Sequence, residues 1–88
     1  MNYKEKLEKI YERLKLTLGT LTAYTLFKLA LSRIPVEISN QVILTENDVR
    51  ILTDNMEDYK VYLEAIKEVL LASLGDTIVQ MVVGDLWK

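Results

Sequence analysis

Two apolar seams constrain this chain more than any other feature. Tyr3, Leu7, Ile10, Leu14 and Leu18 recur at steps of four, three, four and four, and Tyr59, Leu63, Ile66, Leu70 and Leu74 repeat the same steps. That spacing places each set along one face of an α-helix, because a helix turns by about 100° per residue. Lys and Glu fill the opposite side of the first segment, with Glu5 four residues before Lys9, the favourable order for such a pair. Each seam ends on Leu-Gly, at Leu18-Gly19 and Leu74-Gly75. Each junction opens a second, far more apolar segment, around Leu21–Leu31 and Ile78–Trp87. A helix that is apolar nearly all round needs cover nearly all round.

Shifting the chain on itself by 56 residues lays residues 2–20 over residues 58–76, and nine of the nineteen positions are identical. Composition alone gives about three or four matches between two amphipathic helices rich in Lys, Glu and Leu. The sequence therefore predicts an internal repeat with an offset of about 56 residues. The expected fold is all-α: a bundle of two similar helical hairpins, halves 2–33 and 57–88, joined by a linker over 34–56 with one short helix. Helix 1 is expected over about 2–16, helix 2 over about 18–33, and helix 5 from Leu74 to about Trp87. Thr17 and Ser73 are expected to cap the second helix of each hairpin, Ser73 forming a capping box with Asp76. Gly19 and Gly75 are expected to relax the backbone at the joins or to let the helices approach closely.

The linker is less regular. Pro35 stops helix 2. "PVEISNQVIL" over 35–44 reads as a short extended segment or a loop pinned by apolar anchors. Thr45-Glu46-Asn47-Asp48 reads as a capping box, which predicts the short helix over 46–54. Asn55 or Asp58 then starts helix 4.

Composition narrows the chemistry. Eighty-eight residues make one domain, and neither cysteine nor histidine is present. Disulfides, thiolate metal sites and cysteine nucleophiles are therefore excluded, and the commonest general base and zinc ligand is missing. Glu8/Glu12 and Glu64/Glu68 stand four apart at matched positions, yet both pairs lie away from the seams, on the expected solvent face. No metal, cofactor or catalytic residue is assigned, and the chain is read as a non-enzyme. The charged, helix-forming start has no apolar signal core, which predicts a cytoplasmic protein. The longest nearly uncharged run, Leu16–Phe27, is twelve residues, too short to span a bilayer.

The net charge is −2, but residues 1–33 carry +4 and residues 34–88 carry −6. This asymmetry predicts halves that attract each other. "LTENDVRILTDNMEDYKVYLEAI" has the outline of a helix-turn-helix, but its second helix holds Glu57, Asp58, Glu64 and Glu68, which repel phosphate.

The leading functional reading follows from the two apolar helices. An 88-residue bundle is not expected to cover both, and a contiguous exposed apolar patch marks an interface. The chain is therefore expected to be a self-associating protein-interaction module, an adaptor or assembly subunit. It would form a homodimer or higher even oligomer through Tyr24, Phe27 and Leu31 of helix 2 and Val79, Val83, Leu86 and Trp87 of helix 5. Another protein is a further candidate partner, whereas membrane and nucleic acid are not expected. The alternatives are a nucleic-acid-associated regulator using the basic first helix (Lys4, Lys6, Lys9, Arg13, Lys15) and a binder of an apolar small ligand in the bundle core.

Overall fold

The computed structural model describes residues 2–87 and is mostly helical, with one small β-hairpin. In chain order the elements are α1 (Tyr3–Leu18), α2 (Thr20–Leu31), α3 (Val36–Ser39), β1 (Val42–Leu44), β2 (Val49–Ile51), α4 (Met56–Leu74) and α5 (Asp76–Val83). A 3-10 turn over Gly84–Leu86 follows. The long helices α1 and α4 pack on each other, and α2 and α5 each pack on both.

Both long helices begin on asparagine caps. The Asn2 side chain accepts a hydrogen bond from the Glu5 N–H at 2.8 Å, and Asn55 accepts from the Glu57 N–H at 3.0 Å. These contacts satisfy N–H groups that have no partner within the helix.

The two junctions are built by glycine alone. Thr17 and Ser73, expected as caps, instead sit exposed inside α1 and α4, which run on to Leu18 and Leu74. Neither α2 nor α5 has a side-chain cap, and Asp76 is simply the first residue of α5. Gly19 (φ 94°, ψ 153°) and Gly75 (φ 83°, ψ 162°) take a backbone conformation essentially reserved for glycine. Each ends one helix and begins the next. The Gly19 N–H donates to the Lys15 carbonyl at 3.0 Å, while the Gly19 carbonyl accepts from the Ala23 N–H at 3.1 Å. The Gly75 N–H donates to Leu71 at 3.0 Å, and its carbonyl accepts from Val79 at 3.1 Å. Each glycine thus closes the last turn of one helix and opens the first turn of the next, with no side chain capping the new helix.

The linker departs from expectation. Residues 46–54 form no helix; β1 and β2 pair antiparallel, with Val42 opposite Ile51, Ile43 opposite Arg50 and Leu44 opposite Val49. Thr45 does make the contacts of a capping residue, accepting from the Asn47 and Asp48 N–H groups at 3.2 and 3.0 Å. Here they close a turn between strands. Beyond it Val49 and Ile51 point inward and Arg50 outward, the period-two pattern of a strand. The one short linker helix, α3, lies earlier, directly after Pro35. Pro fits the entry to a helix because its missing N–H would have no partner there.

The core is continuous. Leu7, Ile10 and Leu14 of α1 meet Ala23, Phe27 and Ala30 of α2 and Leu63, Ile66 and Leu70 of α4, with Val79 and Val83 of α5 joining the same cluster. At its centre the Tyr11 and Phe27 rings lie 4.5 Å apart, and the Phe27 and Tyr62 rings 5.9 Å apart, edge to face. These are favourable aromatic geometries.

Candidate interaction surface

The buried tyrosines use their hydroxyls as structural donors. Tyr62 donates to the Phe27 carbonyl at 3.1 Å, tying α4 to α2. Tyr11 donates to the Thr45 carbonyl at 2.8 Å, and Tyr59 to the Ile51 carbonyl at 3.2 Å, fastening the hairpin from α1 and α4. Burial pushes the Tyr11 phenol up from 10.0 to about 12, with the negative charge of Tyr24, Glu46, Asp48 and Glu12 adding to it. Burial likewise raises Tyr62 and Tyr59. A phenol held protonated and donating to a carbonyl is a fastening, not a poised base.

The charged groups are mostly solvated. Glu8, Glu12, Glu64 and Glu68 are all exposed. Among the described residues, no three carboxylates gather as metal ligands would. Of the basic side chains on α1, Arg13 pairs with Asp85 and donates to the Val82 carbonyl at 3.3 Å. Lys15 reaches Glu12 at 2.8 Å and donates to the Asn47 carbonyl. Both side chains therefore tie the basic first part of the chain to its acidic remainder, and the patch they would have offered to phosphate is reduced.

The residues expected at an interface divide sharply. Phe27 and Val83 are fully buried, and Val79 and Leu86 nearly so, within a single chain. Their apolar surface is already covered by α1 and α4, so they are core residues and not a face on offer. Tyr24 and Leu31 are half-buried at the margin of α2, and Trp87 is half-buried at the far end of the chain. The structure does not bring these seven residues together as one surface.

A different set is exposed. On α2, Leu21 is 70% exposed and Leu29 43% exposed. With Tyr24, Thr25, Lys28 and Ser32 they line an open crevice of about 480 Å3 along the outside of the helix. At about 100° per residue, positions 21, 25, 28, 29 and 32 lie opposite Ala23, Leu26, Phe27 and Ala30. The helix has no acidic residue, and Lys28 is its one charge, with its ammonium 5.7 Å from the centre of the Tyr24 ring. Two further apolar side chains, Ile78 and Met81, stand exposed on α5.

The α2 outer face was legible in part. Thr22, Thr25 and Lys28 follow at steps of three, about 60° apart around the helix, and break the apolar run on one side, which marks that side as the outer one. No helix among the described residues is long and apolar enough to cross a membrane. Compared with known proteins, the chain matches no protein family, no curated protein and no solved structure.

Proposed function

We propose that the protein is a non-enzymatic interaction module that self-associates through the outer face of α2. The carrying observation is that Leu21 and Leu29 stand exposed, with half-buried Tyr24 beside them, on a helix whose other face is buried in the core. A second copy suits this stripe. Thr25 lies midway between Leu21 and Leu29, four residues from each. Two α2 helices crossing antiparallel at Thr25 place each Leu21 against the partner's Leu29, the reciprocal contact a two-fold interface requires. A small residue at the crossing lets the axes approach to about 8 Å. A single charge per helix leaves little to repel. One helix face buries less than the roughly 800 Å2 per partner of a standard interface, so the dimer should be weak, with Kd in the ~1–100 μM range.

The same reading takes α1–α2 and α4–α5 as two copies of one helical hairpin. The shared glycine conformation at positions 19 and 75 and the nine matched residues support it. A cytoplasmic location belongs to the proposal, in keeping with a chain that has no cysteine to exploit an oxidising compartment.

The absence of cysteine also provides the test. Thr25→Cys introduces a unique thiol at the predicted two-fold axis, where Cα atoms can come within the ~4.4–6.8 Å that a disulfide spans. Mild oxidation should give a covalent dimer in high yield, while Thr77→Cys on exposed α5 should remain largely monomeric. Equal, slow crosslinking of both variants would count against the α2 face.

A further inference from the structure

Tyr3 and Trp87, from opposite ends of the described chain, meet on one small cleft of about 210 Å3. Its remaining wall is Lys6 from α1 and Lys60, Leu63, Glu64 and Lys67 from α4. The α4 residues are placed by helical spacing: Lys60, Glu64 and Lys67 follow at four and three, and so share a face.

Three of the ten described basic side chains are paired with carboxylates, and seven, those of the cleft among them, are not. Arg13, Lys15 and Arg50 are all held by carboxylates. Among the described residues, none of Lys6, Lys60 and Lys67 has a carboxylate within ion-pair distance. Three lysines thus share the lining of the cleft with a single acidic residue, Glu64, in a protein whose overall charge is −2. Beside them stand two aromatic rings and a leucine. The Lys67 ammonium lies 5.8 Å from the centre of the Trp87 ring, so cation and ring are already in register. The Trp87 Nε1–H is buried without an acceptor among the described residues, an unusual state for a buried donor.

We propose that this cleft binds a small aromatic anion: one ring carrying a phosphate or a carboxylate. The ring stacks against the apolar wall of Tyr3, Leu63 and Trp87. The anionic group sits among Lys6, Lys60 and Lys67, whose positive charges attract it. The cleft, at about 210 Å3, has room for a single ring with its substituent. This site is independent of the α2 face and stands or falls separately from self-association.

Trp87 is the only tryptophan in the chain, so its fluorescence reports on the cleft alone. Phenyl phosphate is the probe, with phenol and inorganic phosphate as its two halves. Phenyl phosphate should change the emission saturably, with Kd of about 1 mM, a modest affinity in keeping with so few ligand atoms. Phenol and inorganic phosphate should each bind about tenfold more weakly, because each keeps only one of the two recognition elements. Lys60→Gln and Lys67→Gln should each weaken phenyl phosphate by about threefold, the scale of one exposed ion pair, and the double variant by about tenfold. Lys28→Gln, on the opposite helix, should leave it unchanged. All three lysines are surface groups whose replacement leaves the core intact, which circular dichroism would verify. No saturable response up to about 20 mM, or equal binding by the double variant, would overturn the site.

Discussion

Replacing Gly19 or Gly75 with alanine tests how the two helical junctions are built, and the sign of the effect is decisive. A residue forced into the conformation of Gly19 (φ 94°, ψ 153°) costs on the order of 1–3 kcal/mol when it carries a Cβ. Alanine also narrows the unfolded ensemble, which returns about 0.4–1 kcal/mol. The net expectation is a loss of roughly 0.5–2 kcal/mol at each site. A Cβ at either glycine would meet no atom within 4 Å, so the whole cost is backbone strain. Larger unbranched side chains should therefore cost the same as alanine, and Gly19→Gln should match Gly19→Ala within about 0.5 kcal/mol. Gly84 is the internal control. Its φ of −57° is ordinary, and an added Cβ would crowd only the exposed Gln80 side chain, whose flexible amide end can swing aside. Gly84→Ala should be close to neutral. Urea unfolding followed at 222 nm is the assay. With an m-value of about 1 kcal/mol per molar for so small a domain, the midpoint should fall by ~0.5–2 M for the two junction variants. If the helix instead continued through either junction, alanine would stabilise by about 0.8–1 kcal/mol. A rise in midpoint at Gly19 or Gly75 would refute the junction geometry.

Tyr62→Phe should cost about 1 kcal/mol, the net worth of its buried hydrogen bond to the Phe27 carbonyl, read as a matching fall in urea midpoint with unchanged far-ultraviolet dichroism. The raised tyrosine pKa values fix the direction of alkaline behaviour. A phenol kept neutral in the folded state contributes stability that is intact below its unfolded value of 10.0 and is lost as pH rises toward the folded value, about 12 for Tyr11. Stability should thus fall between about pH 10 and pH 12, and absorbance at 295 nm should show a late-ionising class that disappears in urea. A single titration step near 10, identical with and without urea, would contradict the buried placement of Tyr11 and Tyr62.

The helical class and both long helices were legible because their seams carry a period that only a helix satisfies. Tyr3 through Leu18 and Tyr59 through Leu74 lie within single helices in the structure. The junction glycines were legible as special, but their caps were misassigned. Threonine and serine before a helix usually act through their side chains, but α1 and α4 run on past Thr17 and Ser73, which leaves Gly19 and Gly75 at the cap positions. The hairpin was missed for a similar reason. Thr45 to Asp48 makes the same side-chain contacts whether a helix or a strand follows. The deciding signal was the alternation of Val49, Arg50 and Ile51, too short a run to outweigh the capping pattern. Phe27, Val79, Val83 and Leu86 lie in the core of a single chain, which the sequence did not reveal because an apolar run shows that a helix needs cover without showing which side its neighbours take. Phe27 faces Tyr11 and Tyr62, and Leu21 and Leu29 face out. The cleft between Tyr3 and Trp87 joins residues from the two ends of the described chain, and no local pattern announces such a meeting.

Self-association through α2 is the central functional claim, and molar mass by light scattering on a sizing column tests it most directly, loading from about 5 μM to about 1 mM to bracket the expected Kd. The mass should climb from near the 10.2 kDa of one chain toward twice that value, and Leu21→Glu should hold it at one chain throughout. A mass fixed at 10.2 kDa across the whole range would contradict the claim and leave the exposed face of α2 without the partner proposed for it.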